Sequence, residues 1–258
     1  MAFNENVSAI ILAAGKGVRM KSSKAKVLHE VAGRPMVSWV CSAASGAGCQ
    51  PVVAVIGYQR DAVEKELPSG VRSAVQEEQL GTGHAVICAR EELGDIDGYV
   101  VVLCGDVPLL KSQTIRALSK RARVEEASCV VLTTEVEGEH TYGRIVRGGG
   151  AGGGDGGEVL RIVEHKDATE DELRIKEVNT GTYCFAMAEL FEELSHLGND
   201  NAQGEYYLTD VIGRLRDSGK KVLAEVAPDH REVTGVDSPE ALERIRSYAA
   251  DGLAAAET

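Results

Sequence analysis

The stretch Val7-Ser8-Ala9-Ile10-Ile11-Leu12-Ala13-Ala14-Gly15-Lys16-Gly17-Val18-Arg19-Met20 changes character once, after Leu12. Val7–Leu12 is a short, nearly unbroken apolar run, the pattern of a strand buried on both faces. The residues beyond Leu12 are mostly small or basic. Ala13, Ala14, Gly15 and Gly17 let backbone amides approach a ligand closely, and successive exposed N–H groups form a concavity suited to an anion. Arg19, and Lys26 beyond it, add fixed positive charge of the kind that holds phosphates. The same residues also fit a plain turn with solvated basic side chains. Two phosphate motifs fail here: a dinucleotide fingerprint wants a third glycine where Met20 stands, and a P-loop wants Lys-Ser or Lys-Thr after its last glycine.

Outward from this stretch the alternation repeats. Val52–Ile56 and Tyr99–Leu103 read as strands, with a weaker candidate at Val71–Val75. Helical patterns occupy Met36–Ala44 (after Pro35, suited to a first turn), Asp61–Leu67, His84–Leu93 and Ser112–Arg123. Strands alternating with helices over short links predict an α/β fold, with a mostly parallel sheet covered on both faces. Such sheets take their ligands at the carboxyl ends of the strands. The second half is more mixed: strands at Cys129–Val136, Arg144–Arg147, Glu158–Glu164 and Val178–Ala186, helices at Ala188–His196, Tyr206–Ser218 and Pro239–Ala249. Gly148–Gly157 carries eight glycines in ten positions and reads as a flexible hairpin tip.

The length of 258 residues suits one large domain or two small ones, and 43% hydrophobic residues suffice for a sizeable core. A net charge of −12 repels phosphate polymers and anionic lipid, which argues against general nucleic-acid or membrane-surface binding. A phosphorylated ligand then needs a local basic cluster. Cys41, Cys49, Cys88, Cys104, Cys129 and Cys184 show no C-x-x-C spacing and mostly sit in apolar runs. With no signal-peptide pattern over Met1 to Val7 and no membrane-spanning apolar run, a reduced, cytoplasmic setting is expected.

Two more segments carry chemistry. Cys104-Gly105-Asp106-Val107-Pro108 follows the strand Tyr99–Leu103. A carboxylate at such a strand tip is placed to hold Mg²⁺, a hard cation that prefers oxygen, although Asp106 equally suits a cap for the helix near Ser112. In Gln76-Glu77-Glu78-Gln79-Leu80-Gly81-Thr82-Gly83-His84-Ala85, backbone and side-chain amides are available to read a base edge, while Thr82 also fits a helix N-cap. His84 reads as a structural histidine rather than a general base.

Together these segments resemble the sugar-nucleotide pyrophosphorylases, most closely the uridylyltransferases acting on N-acetylglucosamine 1-phosphate. The likeness runs from about Val7 to Val236. It includes Lys26-Val27-Leu28-His29, Gly105-Asp106-Val107-Pro108, Tyr142-Gly143-Arg144-Ile145 and Asn179-Thr180-Gly181. Ile162-Val163-Glu164-His165-Lys166-Asp167-Ala168 and Asn201-Ala202-Gln203-Gly204-Glu205-Tyr206-Tyr207 favour the N-acetylglucosamine branch. The resemblance implies a Rossmann-like mixed sheet of the nucleotide-diphospho-sugar transferase type in a single domain. Its nucleotide half would span about 1–125, its sugar half about 126–237 and its C-terminal helix about 238–250.

The implied reaction is Mg²⁺-dependent: UTP and N-acetylglucosamine 1-phosphate give UDP-N-acetylglucosamine and pyrophosphate. Leu12, Ala13, Ala14, Gly15, Gln76, Gly81 and Thr82 would hold the nucleotide. Arg19, Lys26 and Asp106 would be catalytic, with Cys104 and Gly105 beside them. Gly143, Glu164 and Asn179 would bind the sugar, Tyr206 and Thr209 would shape its pocket, and Asp106 with Asp237 would bind Mg²⁺. Arg144 and Lys166 receive no role.

Four positions depart from the family pattern: Val18 for Thr, Ala25 for Pro, Cys104 for Tyr and Asp237 for Asn. They put the rate in question and leave the principal charges intact. Bifunctional members continue into a β-helix acetyltransferase. This chain ends at Thr258, about where a connecting helix would lie, and has no hexapeptide repeats, so no such domain is expected in it. A pyrophosphorylase for another sugar or base shares the same phosphate chemistry. A catalytically weak nucleotide-sugar-binding homologue accommodates Val18 and Ala25. A Rossmann-type oxidoreductase lacks its third glycine.

Overall fold

β1 (Val7–Ala13) is apolar on both sides because both sides are covered. Ala9, Ile11 and Ala13 enter one hydrophobic cluster and Ile10 the opposite one, the two-residue alternation of a central strand. In the computed structural model, which describes residues 6–94, 97–138, 140–148 and 158–256, ten further strands follow. They are β2 (Glu30–Val31), β3 (Arg34–Pro35), β4 (Val52–Ile56), β5 (Arg72–Val75), β6 (Tyr99–Cys104), β7 (Cys129–Glu135), β8 (Arg144–Arg147), β9 (Val159–Val163), β10 (Glu177–Ala186) and β11 (Val222–Val226). The helices are α1 (Met36–Gly46), α2 (Arg60–Lys65), α3 (Thr82–Cys88), α4 (Arg90–Leu93), α5 (Ser112–Val124), α6 (Met187–Leu194), α7 (Asp210–Asp217) and α8 (Pro239–Ala256). The N-terminal residues before Asn6, and the glycine tract after Gly148, lie outside the described residues.

The main sheet runs β11-β7-β10-β6-β1-β4-β5. It is parallel on either side of β10, which lies antiparallel to both β6 and β7. β8 and β9 form an antiparallel arm that joins β10 where Arg144 faces Val178. α1, α2 and α5 cover one face, and α3, α4, α6 and α7 the other. This is the expected mixed sheet with helices on both faces. A third cluster, Met20, Val31, Met36, Val236, Leu242 and Ile245, fastens α8 to the loop after β1. No helix among the described residues is long and apolar enough to cross a membrane.

Four features differ from the sequence reading. The helix expected over His84–Leu93 is two helices, α3 and α4, meeting at Ala89. The helix expected from Tyr206 begins only at Asp210, because Tyr206 donates its N–H to Leu80 O (2.8 Å) and accepts from Gly83 N (2.7 Å). β11 and the small β2–β3 hairpin went unread; β11 is an edge strand with Val226 exposed, so its apolar pattern is incomplete. Phe185, fully buried on β10 and stacked near Tyr183 with ring centroids 5.4 Å apart, anchors the joint between the two parallel regions. Phe185→Ala should destabilise the fold by about 3–5 kcal/mol in denaturant titration.

Candidate active site

β1 and β6 pair in parallel with Leu12 opposite Cys104, so the loops after them leave the sheet at the same edge. Gly105 N donates to Leu12 O at 2.9 Å, and a Cβ on Gly105 would sit 3.0 Å from that oxygen; the strands touch where the loops begin. The next residue, Asp106, gives its backbone oxygen to Val236 N (2.9 Å), which draws the 235–237 segment alongside. Asp106 and Asp237 therefore line one cleft, together with Arg19 and Lys26.

Each carboxylate holds one of the cations. Lys26 Nζ donates to Asp106 Oδ2, a mostly buried pair. Arg19 reaches Asp237 Oδ2 at 3.0 Å and Thr141 Oγ1 at 3.1 Å, in a more exposed position. Burial pulls the Lys26 ammonium down, but the charge and hydrogen bond of Asp106, with help from Asp237, leave it above its ordinary value. Gly17 lies beneath this lysine in the left-handed region (φ +69°), where a Cβ would come within 2.5 Å of Lys26 Cβ. Asp106 does not cap α5, whose N-cap is Lys111 without a side-chain cap. Cys104 also lines the cleft; burial pushes its thiol up to about 12, so it stays a neutral group.

The other end of the cleft is a polar wall. Asn179 donates through Nδ2 to Tyr183 OH (2.6 Å) and accepts from Gly181 N (3.0 Å), while its own N–H donates to Gly143 O (2.9 Å). Glu164 accepts from Thr209 Oγ1 at 3.1 Å, and a Cβ on Gly143 would lie 3.6 Å from its other oxygen. Burial raises the Glu164 carboxyl above its usual range, against the opposing pull of the Thr209 hydrogen bond.

Leu12, Arg19, Lys26, Thr82, Cys104, Asp106, Gly143, Glu164, Asn179 and Asp237 share this cleft. Ala13, Ala14, Gly15, Gln76, Gly81 and Gly105 are absent from its lining. Several of them form an adjoining network: Gln79 Nε2 donates to Ala14 O (2.9 Å), and Gln76 Nε2 donates to Gly81 O (3.0 Å) and lies 3.1 Å from His84 Nδ1. Thr82 is not a cap; its hydroxyl accepts from Leu208 N at 3.0 Å, and Gly81 (φ +109°) occupies the N-cap position. Residues 80–83 are thus stitched to 206–208, and Tyr206 contributes its backbone to that seam. Arg144 is buried and donates to the carbonyls of Tyr142 and His140, bracing the loop before Gly143. Lys166 is spent on Gln203 Oε1 at 2.7 Å.

The sequence model of the MobA-like NTP transferase domain matches residues 9–218. The chain belongs to this family. Among its relatives, the bifunctional protein GlmU of Pelobacter propionicus is 48% identical over 235 residues, covering 90% of this chain and 50% of that protein. The bifunctional protein GlmU of Halalkalibacterium halodurans is 50% identical over 237 residues, covering 92% of this chain and 51% of its own length. The chain thus spans about half the length of the curated relatives it matches. A crystal structure of UDP-glucose pyrophosphorylase complexed with UDP-glucose shares the fold, with a TM-score of 0.74 at 16% identity over 96% of this chain and 99% of the other.

Sequence reasoning missed several residues of this NTP transferase cleft. Tyr183 lies within an apolar strand and reads there as core. Thr141 and Leu208 follow no motif, and Gly235 is one turn-like glycine among 29. Among the described residues no group of three or more His, Cys, Asp or Glu could hold a metal. Two carboxylates alone still fit Mg²⁺, which typically takes one or two from the protein and fills its shell with water and substrate phosphates. A raised carboxyl pKa in the fold contributes stability that is present below the unfolded value and lost as pH rises through the folded one. Glu164→Gln should remove that loss: its Tm should exceed the parent's at pH 8 and match it more closely near pH 4, in paired melts.

Proposed function

We propose that this NTP transferase domain is a Mg²⁺-dependent uridylyltransferase that makes UDP-N-acetylglucosamine and pyrophosphate from UTP and N-acetylglucosamine 1-phosphate. The observation that carries the proposal is the double pairing Lys26–Asp106 and Arg19–Asp237 at one end of a cleft whose other end is the Glu164, Asn179 and Thr209 wall. The first end suits phosphates and a hard cation, the second a hydroxyl- and amide-bearing sugar. The similarity to bifunctional GlmU proteins supports the N-acetylglucosamine branch.

The sugar phosphate is itself the nucleophile, so no protein nucleophile is needed. Its oxygen attacks the α-phosphorus of UTP in line, and pyrophosphate leaves on the far side. Two anions must meet, and the protein's work is orientation and charge neutralisation. Lys26 and Arg19 exchange their carboxylates for phosphate oxygens when the triphosphate arrives, then hold the charge that builds on the leaving pyrophosphate. That exchange frees the Asp106 and Asp237 oxygens. Asp106 and Asp237 would hold Mg²⁺, which would supply positive charge against the repulsion between the two phosphates. Gly143, Glu164 and Asn179 hydrogen-bond the sugar and its acetamido group. Leu12 and Ala13 to Gly15, with Gln76, Gly81 and Thr82, hold the nucleotide, largely through backbone groups, and Cys104 and Gly105 close the floor beside Asp106.

Asp106→Asn keeps a hydrogen-bonding partner for Lys26 and should abolish turnover in a protein that still melts cooperatively; near-normal pyrophosphate release with Mg²⁺ present would rule the metal assignment out. Lys26→Ala should slow turnover by about 10²–10³. With N-acetylglucosamine 1-phosphate and glucose 1-phosphate supplied together beside UTP and Mg²⁺, the product should be UDP-N-acetylglucosamine. Predominant UDP-glucose would overturn the choice of sugar.

A further inference from the structure

We infer that Gln59 is a positioning residue for Lys26, acting as a two-pronged clamp on the backbone immediately before it; the inference rests on the proposed role of Lys26. Gln59 sits at the entrance to α2, far from Lys26 in sequence and outside the lining of the catalytic cleft. Its side-chain amide is used at both ends. Oε1 accepts from Ala25 N at 2.8 Å, and Nε2 donates to Ser23 O at 2.8 Å. Tyr58 OH adds a longer contact to the same Ser23 oxygen, 3.2 Å.

The clamped segment needs such a hold. Residues 22–25 are a bend between the glycine-rich loop and the short 3₁₀ turn Lys26–Leu28, and Ser22, Ser23 and Lys24 are exposed. The Lys26 ammonium must reach across to Asp106 from this bend. Any rotation at Ala25 swings the long lysine stem, which is already confined against Gly17. A side-chain amide donates and accepts from opposite arms of one rigid plane, whereas a carboxylate only accepts.

The backbone at Gln59 shows the cost. It lies in the left-handed region (φ 53°, ψ 39°), which is unfavourable for a residue with a Cβ. This conformation lets the carbonyl of Gln59 start α2, accepting from Ala62 N (2.9 Å) and Val63 N (3.1 Å), while the side chain turns to residues 23–25. Ala25 has φ −54° and ψ 138°, values a proline adopts without strain. Two solutions to one problem are therefore interchangeable here: a glutamine that grips the Ala25 N–H, or a ring that fixes φ at position 25 and has no N–H to grip.

The test uses the full chain and the variants Gln59→Gly, Ala25→Pro and the double variant, with UTP, N-acetylglucosamine 1-phosphate and Mg²⁺. Gln59→Gly removes the clamp and also relieves the left-handed backbone, so its Tm should equal or exceed the parent's. Its kcat should fall about ten- to a hundredfold, the scale on which small misplacement of a reacting group acts, with KM for the sugar phosphate changed less than threefold. Adding Ala25→Pro to Gln59→Gly should recover most of the lost kcat. Amide exchange at Ala25, read without substrate, should quicken in Gln59→Gly.

A Gln59→Gly kcat within twofold of the parent overturns the inference, as does a loss that Ala25→Pro leaves in place, or unchanged exchange at Ala25. Absence of turnover in the parent chain would instead remove the proposed function, while the exchange measurement still decides whether the clamp exists.

Discussion

Lys26 and Asp106 meet in a mostly buried position at the carboxyl ends of two adjacent parallel strands, and most of the site is arranged around that meeting. A charge withdrawn from water is costly unless a partner of opposite sign is hydrogen-bonded to it. The pair satisfies that requirement from residues far apart in the chain, and it works only because β1 and β6 end at the same level. Gly105 permits the close approach of the strands, Gly17 makes room for the lysine stem, and the Asp106 carbonyl brings in the segment that carries Asp237. The acidic character of the whole chain gives the arrangement a second rationale. In a protein of net charge −12, two cations paired with carboxylates form a local neutral patch whose positive members can be redirected toward a phosphate.

At the other end of the cleft the hydrogen-bond economy differs. Asn179 already uses its carbonyl on Gly181 and one N–H on Tyr183, which fixes its orientation and leaves one donor uncommitted by these bonds. Glu164 has one oxygen engaged by Thr209 and the other near Gly143, where a side chain would intrude. Such preset donors and acceptors suit a polyhydroxylated ligand better than a second phosphate.

Much of this was legible in the sequence, for definite reasons. Val7–Leu12 and Tyr99–Leu103 announce central strands because both faces of each are covered, and Asp106 follows such a strand directly. The family likeness supplied Asp237, which no local pattern singles out. What escaped reading depends on contacts between distant segments. Tyr206 begins no helix because its backbone is committed to Leu80 and Gly83. Thr82 looks like a cap but turns to Leu208, and Tyr183 has the alternation of a core residue although it faces the cleft. β11 is half exposed at the sheet edge, and its Glu225 and Val226 dilute the apolar signal. The clamp by Gln59 leaves no mark on periodicity at all, since both its hydrogen bonds go to backbone.

The placement of β10 bears on how the molecule is made. This strand lies between β6 and β7 although it comes after both in the chain, so on a ribosome those two strands emerge well before the one that separates them. Until β10 arrives, each presents an unpaired row of backbone donors and acceptors, a template for wrong partners. Direct pairing of β6 with β7 would be one such trap. The correct sheet closes by insertion, and Asn179 and Tyr183 ride in on the inserted strand. One end of the cleft therefore comes into being in the same event that joins the two parallel regions, and a nascent chain stalled short of that event carries its glycine-rich loop without Asn179 and Tyr183 opposite it.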